Sequence, residues 1–242
     1  KGTKSFEKFE SYVRDLINPT FDRLGYNKIT NESNLDVLLR GMILSISSLY
    51  NLPKVCLKAE FFFKNINKAT VDPDIRSFVY NTVGRKGNIK DYNILLKMYN
   101  NTSSHEEKNR ILAGLCMFSN STLLNKTLIF IHTGNNVRLQ DRFRAYAVLL
   151  SNPDTQKTMW IYLKNNWENI LNTYGRTSHS LSRIVEYLDS INDEIVLNDI
   201  KKFFSTRTFP GIERTLKQTI EKITININLK KKHQKDIVKY FS

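Results

Sequence analysis

The sequence predicts an all-α protein, an irregular solenoid of stacked helix pairs. Three observations carry that prediction. Apolar residues recur at 3.6-residue spacing almost from the first residue to the last. Capping and breaking signals cut this pattern into roughly a dozen segments that pair every 30–40 residues or so, with no shared consensus. Nothing in it reads as a βαβ alternation or an Asn-Gly hairpin.

The segments follow in order. Phe6, Phe9, Val13, Leu16 and Ile17 mark a first helix, stopped at Pro19. A polar loop runs from Gly25 to Asn34. Ser33 to Asp36 resembles a capping box and opens a helix to about Tyr50, with Leu35, Leu38, Leu39, Met42, Ile43 and Ile46 inward. Asn51-Leu52-Pro53 breaks it, and the next helix covers 54–66, ending in Phe61-Phe62-Phe63.

Asp72-Pro73 is an N-cap followed by proline, and that helix ends at Gly84. Asn88 opens another, with Tyr92, Leu95, Leu96 and Tyr99 buried. Ser104-His105-Glu106-Glu107 caps a helix through Cys116. A further helix spans 121–132, before Gly134.

A helical hairpin at 137–171 follows, turned by Ser151-Asn152-Pro153-Asp154. Trp160, Leu163, Trp167 and Leu171 share one helical face, so both tryptophans belong to the core. Beyond Gly175, Leu181, Ile184, Val185 and Leu188 mark a helix, and Asp193 to Phe204 the next. Thr208 to Gly211 reads as a turn. The last pattern runs from Ile212 to Ile227; its β-branched part, Ile223–Leu229, permits a short strand, but the continuing 3.6 period favours helix.

Of the 242 residues, 40% are hydrophobic and 25% charged, as in ordinary globular chains, and 9 Gly and 5 Pro leave little room for flexible linkers. No apolar run approaches the ~20 residues of a membrane span. The chain begins at Lys1 and its periodic pattern starts almost at once, so we read it as one α-solenoid domain, 1–242, cut from a longer polypeptide. The net charge of +14 is spread over helix faces, densest at Lys230-Lys231-Lys232, Lys235 and Lys239. No nucleic-acid-binding motif accompanies it, and no nucleic-acid partner is expected. Cys56 and Cys116 sit in apolar patterns, as buried thiols do, and one bridge between them stays open. Five Asn-x-Ser/Thr sequons carry no weight, because chance supplies about four in a chain with 26 Asn and 36 Ser or Thr.

Catalytic constellations are missing. His105-Glu106-Glu107-Lys108-Asn109 begins like a zinc-protease helix, but Asn109 stands where the second histidine belongs. Gly84-Arg85-Lys86-Gly87 reads as a helix C-cap with basic residues at the negative end of the dipole. Arg138 and Asp141 have the spacing of an i,i+3 ion pair; alternatively Arg138, like Arg176 and Arg183, projects into a concave groove and holds an anionic group.

Several ordered segments resemble the C-terminal helical domain of the gluzincin zinc aminopeptidases. They are Pro19–Gly25, Leu35–Tyr50, Pro73-Asp74-Ile75-Arg76-Ser77-Phe78-Val79-Tyr80, Glu107–Leu112, Val137-Arg138-Leu139-Gln140-Asp141, Asn152-Pro153 with Trp160, Leu163, Lys164, Asn166 and Trp167, then Ser182-Arg183, and Phe203-Phe204 through Glu213 and Thr219 to Ile227. The resemblance implies a right-handed superhelix of paired HEAT- or armadillo-like helices. It implies a domain that closes over the preceding catalytic domain of the same polypeptide and walls the peptide cavity. Zinc and its ligands would belong to that other domain, so the parent would be a zinc aminopeptidase while this chain holds no catalytic residue and no metal. Arg138, Asp141, Arg176 and Arg183 are then the candidates for the substrate cavity. Peptide substrates are the implied partners, a homodimer stays open, and a membrane-anchored extracellular parent is favoured over a cytoplasmic one. The alternative is a free-standing basic α-solenoid scaffold binding proteins or RNA.

Overall fold

The computed structural model describes residues 2–66, 71–175, 179–207 and 211–242. Among them every regular element is a helix, as the periodicity predicts. Chain contacts divide into two compact units, Lys1–Thr127 with Val238–Ser242, and Leu128–Ile237.

The first unit holds α1 (Lys4–Leu24), α2 (Asn34–Leu49), α3 (Pro53–Lys64), α4 (Pro73–Lys86), α5 (Ile89–Asn101), α6 (His105–Leu115) and the start of α7 (Ser121–His132). In it α2, α4 and α6 pack side by side, and α3 and α5 lie against α4 and α6. Four starts follow sequence signals: Ser33 Oγ accepts from the Asp36 amide, Asp72 from the Asp74 amide and Ser104 from the Glu107 amide, and Asn88 with Asp91 forms a complete capping box.

Three expectations are corrected here. The first helix does not stop at Pro19; it continues to Leu24 and ends at Gly25, whose φ of 59° and N–H bond to Phe21 O close it. Its buried residues, Phe21 and Leu24, lie beyond the proline, and their burial outweighs the lost i→i−4 bond. Nor does α4 stop at Gly84: it runs to Lys86, and Gly87 is the cap. Gly84 instead sits where α4 crosses α6. A Cβ there would lie 2.1 Å from Gly114 O, and one on Gly114 2.8 Å from Tyr80 Cβ.

The third correction concerns α2, whose two faces are both apolar. Leu35, Leu38 and Met42, expected inward, are 78%, 69% and 60% exposed, and the buried side carries Val37, Arg40, Ile43, Leu44, Ser47 and Ser48. Arg40 is buried because it is neutralised. It pairs bidentately with Glu32, Nη1 lying 2.7 Å from Oε2, and Nε donates to Leu24 O at 3.0 Å. A second buried carboxylate, Glu107, accepts from Tyr80 Oη at 2.5 Å and pairs with Arg76 at 3.3 Å and Arg110 at 3.1 Å. Cys56 and Cys116 are free and buried.

The second unit holds the end of α7, then α8 (Leu139–Ser151), α9 (Gln156–Asn165), α10 (Trp167–Tyr174), α11 (His179–Glu186), a 3-10 turn (Tyr187–Ser190), α12 (Glu194–Ser205) and most of α13 (Glu213–Tyr240). The single helix expected across Trp160 and Trp167 is broken at Asn166, whose φ of −110° and ψ of 16° end α9 and start α10. Both tryptophans are nonetheless buried and converge on the same pair of rings. Trp160 meets Phe203 edge-on at 5.6 Å, and Trp167 meets Phe204 edge-on at 5.3 Å. Trp160 Nε1 donates to Asp199 at 2.8 Å, and Lys164 lies 2.7 Å from the same oxygen, which holds Asp199 below the usual carboxylate range.

The segment Ile223–Leu229 is helical, within α13. That helix is rooted by Thr219, Ile223 and Ile227, and residues 228–240 are exposed throughout. Of the turn expected at 208–211, residues 208–210 lie outside the described residues.

Candidate functional site

The second unit contains a cleft of about 340 Å3, lined by His132, Arg142, Tyr146, Tyr162, Asn166, Asn169, Asn172, Thr173 and Tyr174. The end of α7, the first half of α8 and the α9–α10 junction supply its walls.

Arg142 enters from the first turns of α8. Ahead of that helix, residues 133–138 connect α7 to α8, and carbonyls there lie outside either helix ladder, open to a donor. Arg142 Nε donates to Val137 O at 3.3 Å and Nη2 to Gly134 O at 3.2 Å, where Gly134 turns the chain at φ 55°. The residue is 9% exposed, and among the described residues no carboxylate forms an ion pair with it.

His132 closes α7. Its Nδ1 lies 2.8 Å from Leu128 O, one turn back, and its Nε2 2.7 Å from Tyr146 Oη. A carbonyl can only accept, so Nδ1 carries the proton and Nε2 accepts from the phenol. Burial pushes the imidazole pKa down to about 4; the Leu128 carbonyl opposes this and the Arg142 charge adds to it. The ring is therefore neutral at physiological pH, with Tyr162 packed 4.5 Å away between centroids. Burial likewise pushes the Tyr146 and Tyr162 phenols up, so both stay protonated donors. Tyr174 donates to Leu139 O at 3.3 Å.

From α10 come Asn169, Asn172 and Thr173, with Asn166 at the helix break. Asn166 Nδ2 is used on Tyr162 O at 2.9 Å, and Thr173 Oγ1 on Asn169 O at 2.7 Å. Among the described residues the cleft thus offers one cation, phenols and amides around a neutral imidazole whose lone pair is occupied. Such a set recognises a polar ligand by hydrogen bonds. It supplies no nucleophile paired with a free base.

Of the residues singled out in the sequence, Arg138, Asp141 and Arg183 are not among those that line this cleft. Arg138 Nε pairs with Asp141 Oδ2 at 2.6 Å, fulfilling the i,i+3 spacing, and the arginine side chain remains 41% exposed. Arg183 places its guanidinium carbon 5.7 Å from the Phe143 ring centre. Arg176 lies outside the described residues. Arg142 and His132 were missed. Arg142 sits one turn past Arg138 and looks like any solvated helix charge, and no local signal marks the Gly134 and Val137 carbonyls that take its hydrogen bonds.

The zinc that the resemblance implies for a parent enzyme has no fitting site here. Among the described residues no three His, Cys, Asp or Glu side chains come together as ligands, and both His132 nitrogens are hydrogen-bonded. No step is derived through a metal.

Comparison with known proteins adds the relatives. Residues 2–225 match the family model of the ERAP1-like C-terminal domain. The chain is 31% identical over 216 residues to aminopeptidase M1 of Arabidopsis thaliana, covering 85% of this chain and 24% of that one. It is 29% identical over 236 residues to glutamyl aminopeptidase of Bos taurus, covering 96% and 24%. With glutamyl aminopeptidase of Homo sapiens it shares 27% over 240 residues, covering 98% and 25%. The chain therefore spans about a quarter of the length of these relatives.

Proposed function

Because the chain belongs to the ERAP1-like C-terminal domain family, we propose that it serves as the C-terminal helical domain of a zinc aminopeptidase. In this reading it closes over the catalytic domain, lines the peptide cavity and tunes which peptides reach the zinc. The zinc-activated water that attacks the peptide bond belongs to the other domain. The observation that carries the reading is the near-continuous alignment, 96–98% of this chain, with glutamyl aminopeptidases. Two features support it. Among the described residues there are surfaces for recognition and no reactive pair, and the apolar stripe of α2 is the kind of surface a neighbouring domain covers.

Two measurements test this. The 242-residue chain is assayed alone, with zinc, on aminoacyl chromogenic substrates; no turnover is expected, and robust zinc-dependent turnover would overturn the reading. The longer polypeptide that contains it is then compared with and without residues 1–242. Loss of discrimination between peptides of different length is expected, and unchanged kinetics on peptides would count against any role in access.

Arg138, with Asp141 holding it, and Arg183 and Arg176 are the proposed cavity residues. Replacing Arg138 by Ala in that enzyme is expected to raise KM for peptides carrying an anionic group about tenfold, the size of one lost charged hydrogen bond. Aminoacyl chromogenic substrates, too short to reach it, serve as the control and should be unaffected.

A further inference from the structure

We propose that the cleft of the second unit is a binding site for a carboxylate, with Arg142 as the anion-holding residue. This is independent of the aminopeptidase reading and concerns residues that reading does not use.

Three observations meet there. First, Arg142 is nine-tenths buried yet has only backbone carbonyls as partners, through Nε and Nη2; Nη1 makes no hydrogen bond among the described residues. A buried guanidinium without a counter-ion is costly, and the contrast within this chain is direct. Arg40, also buried, is neutralised by Glu32, whereas Arg142 is not neutralised by any described side chain. Second, the cation lines an open cleft of about 340 Å3, large enough for a small organic anion and not merely for an ion. Third, among the described residues the remaining lining is neutral. His132 is held uncharged with its lone pair engaged by Tyr146, and Asn169 and Asn172 add amide donors without charge.

One cation and several neutral donors suit a single negative charge on a planar group. A guanidinium offers parallel N–H bonds to the two oxygens of a carboxylate. A phosphate dianion would ask for more positive charge than the cleft holds. The flat faces of Tyr162 and Tyr174 give the carbon skeleton its contact surface. The carboxylate can come from a free small molecule or from a peptide side chain, and the test separates these.

The experiment is calorimetric titration of the 242-residue chain at neutral pH with butyrate, with acetyl-Gly-Glu-Gly-amide, with its Gln counterpart and with inorganic phosphate. Two variants accompany it. Arg142→Gln removes the charge, and Asn169→Trp fills the cleft from an exposed position of α10 and leaves Arg142 in place, so a folded blocked site is available even if Arg142→Gln unfolds. Circular dichroism melts establish which variants fold.

Butyrate, the Glu peptide or both are expected to bind with a dissociation constant on the order of 1 mM or tighter, and binding to each folded variant should weaken about tenfold or more. Which of the two binds identifies the source of the carboxylate. Absence of binding by both overturns the proposal. So does binding that both folded variants leave unchanged, equal binding of the Gln peptide, or a preference for phosphate.

Discussion

Burial of His132 ties the stability of the second unit to pH. Its pKa in the folded chain is about 4, against an ordinary value of 6.5, because burial disfavours the imidazolium. The unfolded chain therefore takes up a proton as pH falls through 6.5 while the folded chain does not. The contribution is fully present above pH 6.5 and is lost progressively down to about pH 4, with a slope of at most ~1.4 kcal/mol per pH unit for one proton. Urea midpoints at pH 7.5, 6 and 5 read this directly. In His132→Gln this part of the slope should vanish, and an unchanged slope would mean that the imidazole is not held neutral. None of this was legible in the sequence, where His132 is one histidine near a helix end. Its neutral state comes from burial, its Nε2 partner is Tyr146 fourteen residues away, and contacts between helices leave no periodic trace. Arg142 is the same case. Arg138 and Asp141 were readable because their pairing is local.

The helices themselves were largely legible, since caps and the 3.6 period are local, and the errors share one physical cause. A period reports that a helix has an apolar face and does not say which of two apolar faces is covered. So α2 was read with Leu35, Leu38 and Met42 inward, and the buried Arg40 gave no sign of itself, since its partner Glu32 lies in the preceding loop. Proline and glycine misled for a related reason. Both are breakers by local propensity, yet Pro19 stays inside α1 and Gly84 inside α4 because packing outweighs it. Gly84 can be tested against Gly134. At Gly84 a methyl group would meet the Gly114 backbone at 2.1 Å, and backbone cannot swing aside. Gly84→Ala should therefore cost about 3 kcal/mol or more, as in overpacked cores. At Gly134 nothing lies within 4 Å of the added Cβ, and only the positive φ of 55° opposes it. Gly134→Ala should cost about 1 kcal/mol. Denaturant unfolding of the two variants gives the comparison, and similar losses would show that the helix crossing is looser than described.

At the scale of the whole molecule, fold class and family were readable from the ordered segments, because each segment is held in place by its own helix contacts. What the cleft binds was not, because it is assembled from α7, α8, α9 and α10, and no stretch of sequence contains it. A row of uncovered aliphatic groups lies elsewhere, on α2. Leu35, Leu38 and Met42 recur at i, i+3 and i+7 and are continued by Leu49, all on the side of the helix away from the core. In a test tube this is a handling problem before it is anything else. A strip of bare hydrocarbon one helix long makes the isolated 242-residue chain prone to clump as concentration rises. Replacing Leu38 and Met42 by Glu should raise its solubility limit several-fold and leave the melting temperature nearly unchanged, since neither side chain contributes to the buried core. Light scattering and a thermal melt on the double variant read the two quantities separately. A marked fall in melting temperature would mean that those side chains are part of the packing after all. The same leucines that gave α2 its helical signature thus set the concentration at which the chain can be studied.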